Sequence, residues 1–73
     1  MLRLIDNQTG DELKVGSWIT DDEGTIWFIT GFGLHPIGGK FVEMVKMDQL
    51  REIAEQFRAD SYDLTVQYDL ENI

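Results

Sequence analysis

Seventy-three residues bound the chain to one domain, of a size that buries only about 60% of the surface its unfolded state exposes. Six Lys and Arg stand against fourteen Asp and Glu, a net charge of −8, while 42% of the residues are apolar, too many for a disordered acidic tail. The absence of cysteine excludes a disulfide scaffold, thiolate zinc sites and cysteine nucleophiles, and the single histidine leaves Ser-His catalysis one possible base.

Leu2–Ile5 reads as a short apolar strand, and Asp6-Asn7-Gln8-Thr9-Gly10 as a turn, because Asn and Asp bond their own backbone and Gly accepts positive φ. A second strand follows Gly16, with Trp18 and Ile19 in Ser17–Thr20. Asp21-Asp22-Glu23-Gly24 has the composition of a hairpin connection. Thr25–Phe32, β-branched and aromatic almost throughout, is the strongest strand in the chain. Gly33–Gly39 reads as a loop, where Pro36 lacks an N–H and pushes His35 toward extended geometry. Lys40–Met47 is expected to pair back on Thr25–Phe32.

The period then changes. Leu50, Ile53, Ala54 and Phe57 fall at i, i+3, i+4 and i+7, which predicts an amphipathic helix over 48–58 with Asp48 as its N-cap. From Ser61 to Asp69 the period returns to two, so Tyr62, Leu64, Val66 and Tyr68 are expected inward and Asp63, Thr65 and Gln67 outward. No repeat, low-complexity stretch or linker interrupts the chain. The expectation is therefore a mainly β domain over 1–73, with five strands and one helix inserted before the last of them.

Residues 14–31, Lys-Val-Gly-Ser-Trp-Ile-Thr-Asp-Asp-Glu-Gly-Thr-Ile-Trp-Phe-Ile-Thr-Gly, resemble the opening of small SH3-like barrels of the KOW and Tudor kind. The shared pattern is Val15-Gly16, a polar residue, an apolar strand, an acidic turn with Gly24, and a strand of alternating bulky residues. Together with Ile5-Asp6-x-x-Thr9-Gly10, the stretch is also similar to small phage-encoded proteins of unknown function. The resemblance covers residues 5–32 and is carried by a short, mostly structural motif. It implies an SH3-like barrel and, through the phage proteins, a modulator of a host protein in the bacterial cytoplasm. One feature departs from the pattern: a helix of about three turns would replace the single 3₁₀ turn usual before the last strand. A strongly bent, open sheet with a helix against it is the competing architecture.

The candidate chemistry is sparse, and each candidate has a plainer explanation. His35 could titrate near neutrality, yet a catalytic base needs a nucleophile and an orienting carboxylate, and the sequence signals neither. Asp21, Asp22 and Glu23 are contiguous, whereas a calcium loop alternates its ligands and closes on a Glu where this chain has Thr30. Gly31, Gly33, Gly38 and Gly39 lie between strands, not at the helix N-terminus that a phosphate cradle requires. Nucleic-acid binding is the usual role of KOW-type barrels, but six scattered basic residues form no stripe and the net charge repels phosphate. No apolar run reaches the roughly 18 residues of a membrane span, and the N-terminus lacks a signal-peptide core. No enzyme activity, cofactor, metal, membrane or direct nucleic-acid contact is expected, and the expected location is cytoplasmic.

Two surfaces point to a protein partner. Half of the net charge sits in Ala59–Ile73, a segment that holds Asp60, Asp63, Asp69 and Glu71 and no Lys or Arg, and a second acidic cluster is Asp21, Asp22 and Glu23. Carboxylates fixed on a scaffold can stand in for backbone phosphates and steer encounter with a basic or nucleic-acid-binding protein. The other surface is aromatic. Ile26-Trp27-Phe28-Ile29 is apolar on both faces, so one face needs cover from the helix or from a partner, for which Trp18 and Trp27 are the natural anchors. The expected function is an acidic protein-interaction module that modulates or inhibits its partner. The alternatives are an accessory subunit docked through an apolar sheet face and a nucleic-acid-binding barrel.

Overall fold

The computed structural model describes residues 1–68, which form two antiparallel sheets. The strands are β1 (Leu2–Asp6), β2 (Glu12–Leu13), β3 (Trp18–Thr20), β4 (Ile26–His35), β5 (Gly39–Lys46), β6 (Glu55–Arg58) and β7 (Leu64–Tyr68). One sheet has the order β2-β1-β7 and the other β3-β4-β5-β6. The fold is thus mainly β, as composition and period suggest. Among the described residues it has seven strands rather than five, and no ladder joins the two sheets into a closed barrel.

Period-two patterning builds the core. Leu4 of β1 lies between Leu13 and Val66 in register, and Ile29 of β4 opposite Met44 of β5. Leu4, Ile29, Val42, Met44 and Val66 are fully buried, and Leu64, Ala59 and Trp27 complete the cluster. In β7 the inward set holds for Leu64 and Val66, with Asp63 and Gln67 exposed. It fails at Tyr68, which is mostly exposed, whereas Tyr62 packs against the core as expected but from a 3₁₀ turn, Ala59–Tyr62, not from the strand. Asp63 ends that turn in the left-handed conformation, which Asp tolerates better than most residues.

The expected loop from Gly33 is instead strand. β4 runs on to His35, and the reversal is confined to Pro36–Gly38, with Gly39 at φ +81° opening β5. Gly33 pairs with Phe41, whose ring lies 3.1 Å from where a Cβ would stand. The missing side chain is what lets that ring lie against the strand. Gly33 serves ring packing, and Gly39 the turn.

The amphipathic helix over 48–58 is absent. Met47–Gln49 forms one 3₁₀ turn, Leu50 and Ile53 are exposed, and Phe57 lies in β6, opposite Val42 of β5. The physical reason is competition for the same residues. An 11-residue helix is marginal by itself, and its stripe would have to give up the backbone ladder that β5 offers along its open edge. Strand pairing still buries Phe57, the largest member of the stripe, against Trp27 and Tyr62. Leu50 and Ile53 are left outside the core. Ile53→Ser should therefore shift the unfolding free energy by no more than about 0.5 kcal/mol, whereas Phe57→Ala should cost roughly 2 kcal/mol for a half-buried ring. Equal losses in a urea titration would restore the helical arrangement.

Candidate interaction groove

The hairpin joining β3 to β4 is built by Asp21. Its Oδ1 accepts the backbone N–H groups of Glu23 and Thr25, both at 2.9 Å, while the backbone closes through Asp21 N–H to Thr25 O and Gly24 N–H to Asp21 O. This is Asx-turn chemistry, with Gly24 supplying the positive φ. The other carboxylate oxygen, Oδ2, accepts Trp27 Nε1–H at 2.9 Å. In an antiparallel hairpin the residue two beyond the direct partner lies diagonally on the same face, within reach of a long aromatic side chain. Asp21 opposite Thr25 therefore places Trp27 at that diagonal.

Trp27 lies at the centre of an aromatic cluster. It meets Phe57 edge-on at 5.2 Å and Tyr62 at 5.6 Å, and Phe57 meets Tyr62 at 5.2 Å. Lys46, opposite Trp27 in the β4–β5 register, holds its Nζ 5.8 Å from the indole centroid. The 3₁₀ turn Ala59–Tyr62 is tied to the β1–β2 turn. Asn7 donates its backbone N–H to Asp63 O at 3.0 Å and its Nδ2 to Asp63 Oδ1 at 3.3 Å, and Thr65 Oγ1 donates to Asn7 Oδ1 at 2.7 Å.

Between hairpin and 3₁₀ turn lies a groove of about 540 Å³. Trp27 and Tyr62 contribute its aromatic lining, Asp21, Asp22 and Glu23 one wall, and Asp60, Ser61 and Asp63 the other, with Gln8, Thr20, Thr25 and Lys46 also lining it. The fold thus brings together two acidic clusters that are nearly forty positions apart in the chain. Asp69 and Glu71, the rest of the C-terminal cluster, lie outside the described residues.

The electrostatics follow from the geometry. The Trp27 N–H and the hairpin amides hold the Asp21 carboxyl below its ordinary range, against some opposing desolvation. The Tyr62 phenol is pushed up, first by burial and then by the field of Asp21, Glu23 and Glu55. Asp60 is partly neutralised by Arg58, whose Nη2 and Nε lie 2.9 and 3.2 Å from the carboxylate oxygens. Both partners are exposed, so the pair adds at most about 1 kcal/mol to stability.

Asp21 gives a pH dependence of definite sign. Its folded pKa lies below the unfolded value, so its contribution is complete above the ordinary carboxylate range, near pH 4, and is lost as pH falls through the folded pKa. Asp21→Asn should lower the urea midpoint at neutral pH. The difference from the parent should close progressively below about pH 4. A difference independent of pH down to strongly acid conditions would mean that the charge of Asp21 does not hold the hairpin.

The remaining sequence candidates separate. Trp27 is only 8% exposed, whereas Trp18 is 64% exposed and pairs with the half-buried Phe28 on the opposite face of the hairpin. His35 stacks on Phe41 at 4.3 Å, and its Nε2–H donates to Gln56 Oε1 at 2.8 Å, fastening the β4–β5 hairpin to β6. Among the described residues, no three or more His, Asp or Glu side chains are grouped to hold a metal ion. Sequence reasoning missed Lys46, Gln8 and Ser61 as groove residues, and placed Tyr62 in a strand. Comparison with protein-family models, curated proteins and solved structures finds no match to this chain.

Proposed function

We propose that the protein is an interaction module whose acidic groove engages a basic surface of a partner protein, with carboxylates standing where nucleic-acid phosphates would otherwise bind. The observation that carries this reading is the convergence of Asp21, Asp22, Glu23, Asp60 and Asp63 on one groove whose lining, among the described residues, holds one cationic side chain, Lys46. Carboxylates held on a hairpin and a 3₁₀ turn are preorganised, so less ordering entropy opposes binding. Phage origin and a host target rest on the sequence resemblance over residues 5–32. We also assign the fold to the SH3-like class, in an open form. Its support is the 3₁₀ turn Ala59–Tyr62 directly before β7, where the barrels it resembles carry one.

The test is capture from bacterial lysate at low salt, followed by competition of the captured protein with duplex DNA and with single-stranded RNA. Displacement by either polyanion is the expected result. A partner that binds this chain and nucleic acid simultaneously would rule out the stand-in role. The exposed Trp18 favours a second reading, docking as an accessory subunit through the Trp18–Phe28 face. Salt separates the two, because apolar docking does not weaken as the screening length shortens.

A further inference from the structure

We propose that the free edge of β3 is the seam along which the partner docks, by adding an extended segment whose side chains alternate apolar and basic. This deepens the interaction reading above and rests on it.

Among the described residues, β3 is the outermost strand of its sheet and pairs only with β4. The bonds Ile29 N–H to Ser17 O and Asp21 N–H to Thr25 O fix which residues face inward. In an antiparallel ladder the intervening residues turn their backbone groups the other way. Trp18 and Thr20 therefore direct N–H and C=O toward the open edge, and both residues are exposed. An open edge is a template for another strand.

The two faces of the hairpin differ, and that difference specifies the occupant. Trp18, Thr20, Ile26 and Phe28 share one face, with Trp18 opposite Phe28 and Thr20 opposite Ile26. Trp18 and Ile26 are exposed there. Ile19, Asp21 and Trp27 share the other, from which Asp21 and Trp27 line the acidic groove; Thr20, at the rim between the two faces, also borders it. An added strand points successive side chains to opposite faces. Residues set against Trp18 and Thr20 would lie on the aromatic face, and their neighbours would lie toward Asp21, Asp22 and Glu23. An apolar–basic alternation satisfies both faces, whereas a simple basic run satisfies only one.

The experiment uses two capped hexapeptides of equal composition, Lys-Val-Lys-Val-Lys-Val and Lys-Lys-Lys-Val-Val-Val, titrated into the full chain at low salt. The alternating peptide should bind about tenfold more tightly, since only its pattern matches both faces. It should also slow amide exchange at Trp18 and Thr20. Thr20→Pro removes one outward N–H and no bond to β4, a substitution that edge strands accept, and it should abolish the preference while leaving the unfolding midpoint near the parent's. Equal binding of the two peptides, or a preference that survives in Thr20→Pro, overturns the seam and leaves charge attraction by the groove standing. Binding of neither peptide overturns the seam and counts against charge-driven docking as well.

Discussion

Trp27→Ala is expected to remove most of the stability of this domain. Truncating a buried Trp costs on the order of 3–5 kcal/mol, and a chain of this length has roughly 4–11 kcal/mol in total. The indole is the hub of the cluster with Phe57 and Tyr62, and its N–H is also the hydrogen bond that ties Asp21 to the core. Its loss would empty the space beneath the groove and loosen the hairpin above it. Urea unfolding followed by far-ultraviolet circular dichroism is the right measure, because Trp18 remains as a fluorophore. Trp27→Phe keeps one aromatic ring while deleting the donor and part of the indole volume, so its loss should be smaller than that of Trp27→Ala and should overlap that of Asp21→Asn. The double variant should fall short of the sum, as residues in one hydrogen bond do. A loss below about 1 kcal/mol for Trp27→Ala, the range of an ordinary surface change, would mean that this cluster does not hold the 3₁₀ turn Ala59–Tyr62 on the β3-β4-β5-β6 sheet.

The second large effect concerns association. Asp22, Glu23 and Asp63 are exposed groove acids, and neutral amides at all three should leave the unfolding free energy within about 1 kcal/mol. Asp21 is left intact because it builds the hairpin, and Asp60 because its neutralisation would release the charge of Arg58. Asn at position 63 retains both the acceptor for Asn7 and tolerance of the left-handed backbone. The on-rate with a captured basic partner should fall by roughly tenfold or more at low salt. The difference should vanish toward 1 M salt, where the screening length is about 3 Å. An unchanged on-rate, with Trp18→Ala abolishing binding, would move the contact to the aromatic face and leave the acidity as a solubility feature.

The sequence by itself determined the β character of the chain, the hairpin around Asp21–Gly24, the inward positions Leu64 and Val66, and the two acidic clusters as separate runs. These are local properties. A two-residue period and the φ preferences of Gly and Asp act over a few neighbouring positions and need no information from elsewhere in the chain. Residues 48–58 required more. The stripe Leu50, Ile53, Ala54, Phe57 is a sound helical pattern, and only the open edge of β5, with Trp27 and Tyr62 waiting for Phe57, turns its last part into strand. The fate of the two tryptophans was likewise undecided by their neighbours, since Trp18 and Trp27 both sit in apolar strands. The β3–β4 register turns Trp27 to the core and Trp18 to the opposite face, and among the described residues β3 pairs on one side only, so Trp18 stays in solvent. The groove is the most tertiary feature of all. Asp22 and Asp63 line one groove because Asn7 anchors the 3₁₀ turn to the end of β1 and Asp21 anchors the hairpin to Trp27. Such long-range closures depend on which distant groups satisfy each other's hydrogen bonds, and no local period in the chain encodes that.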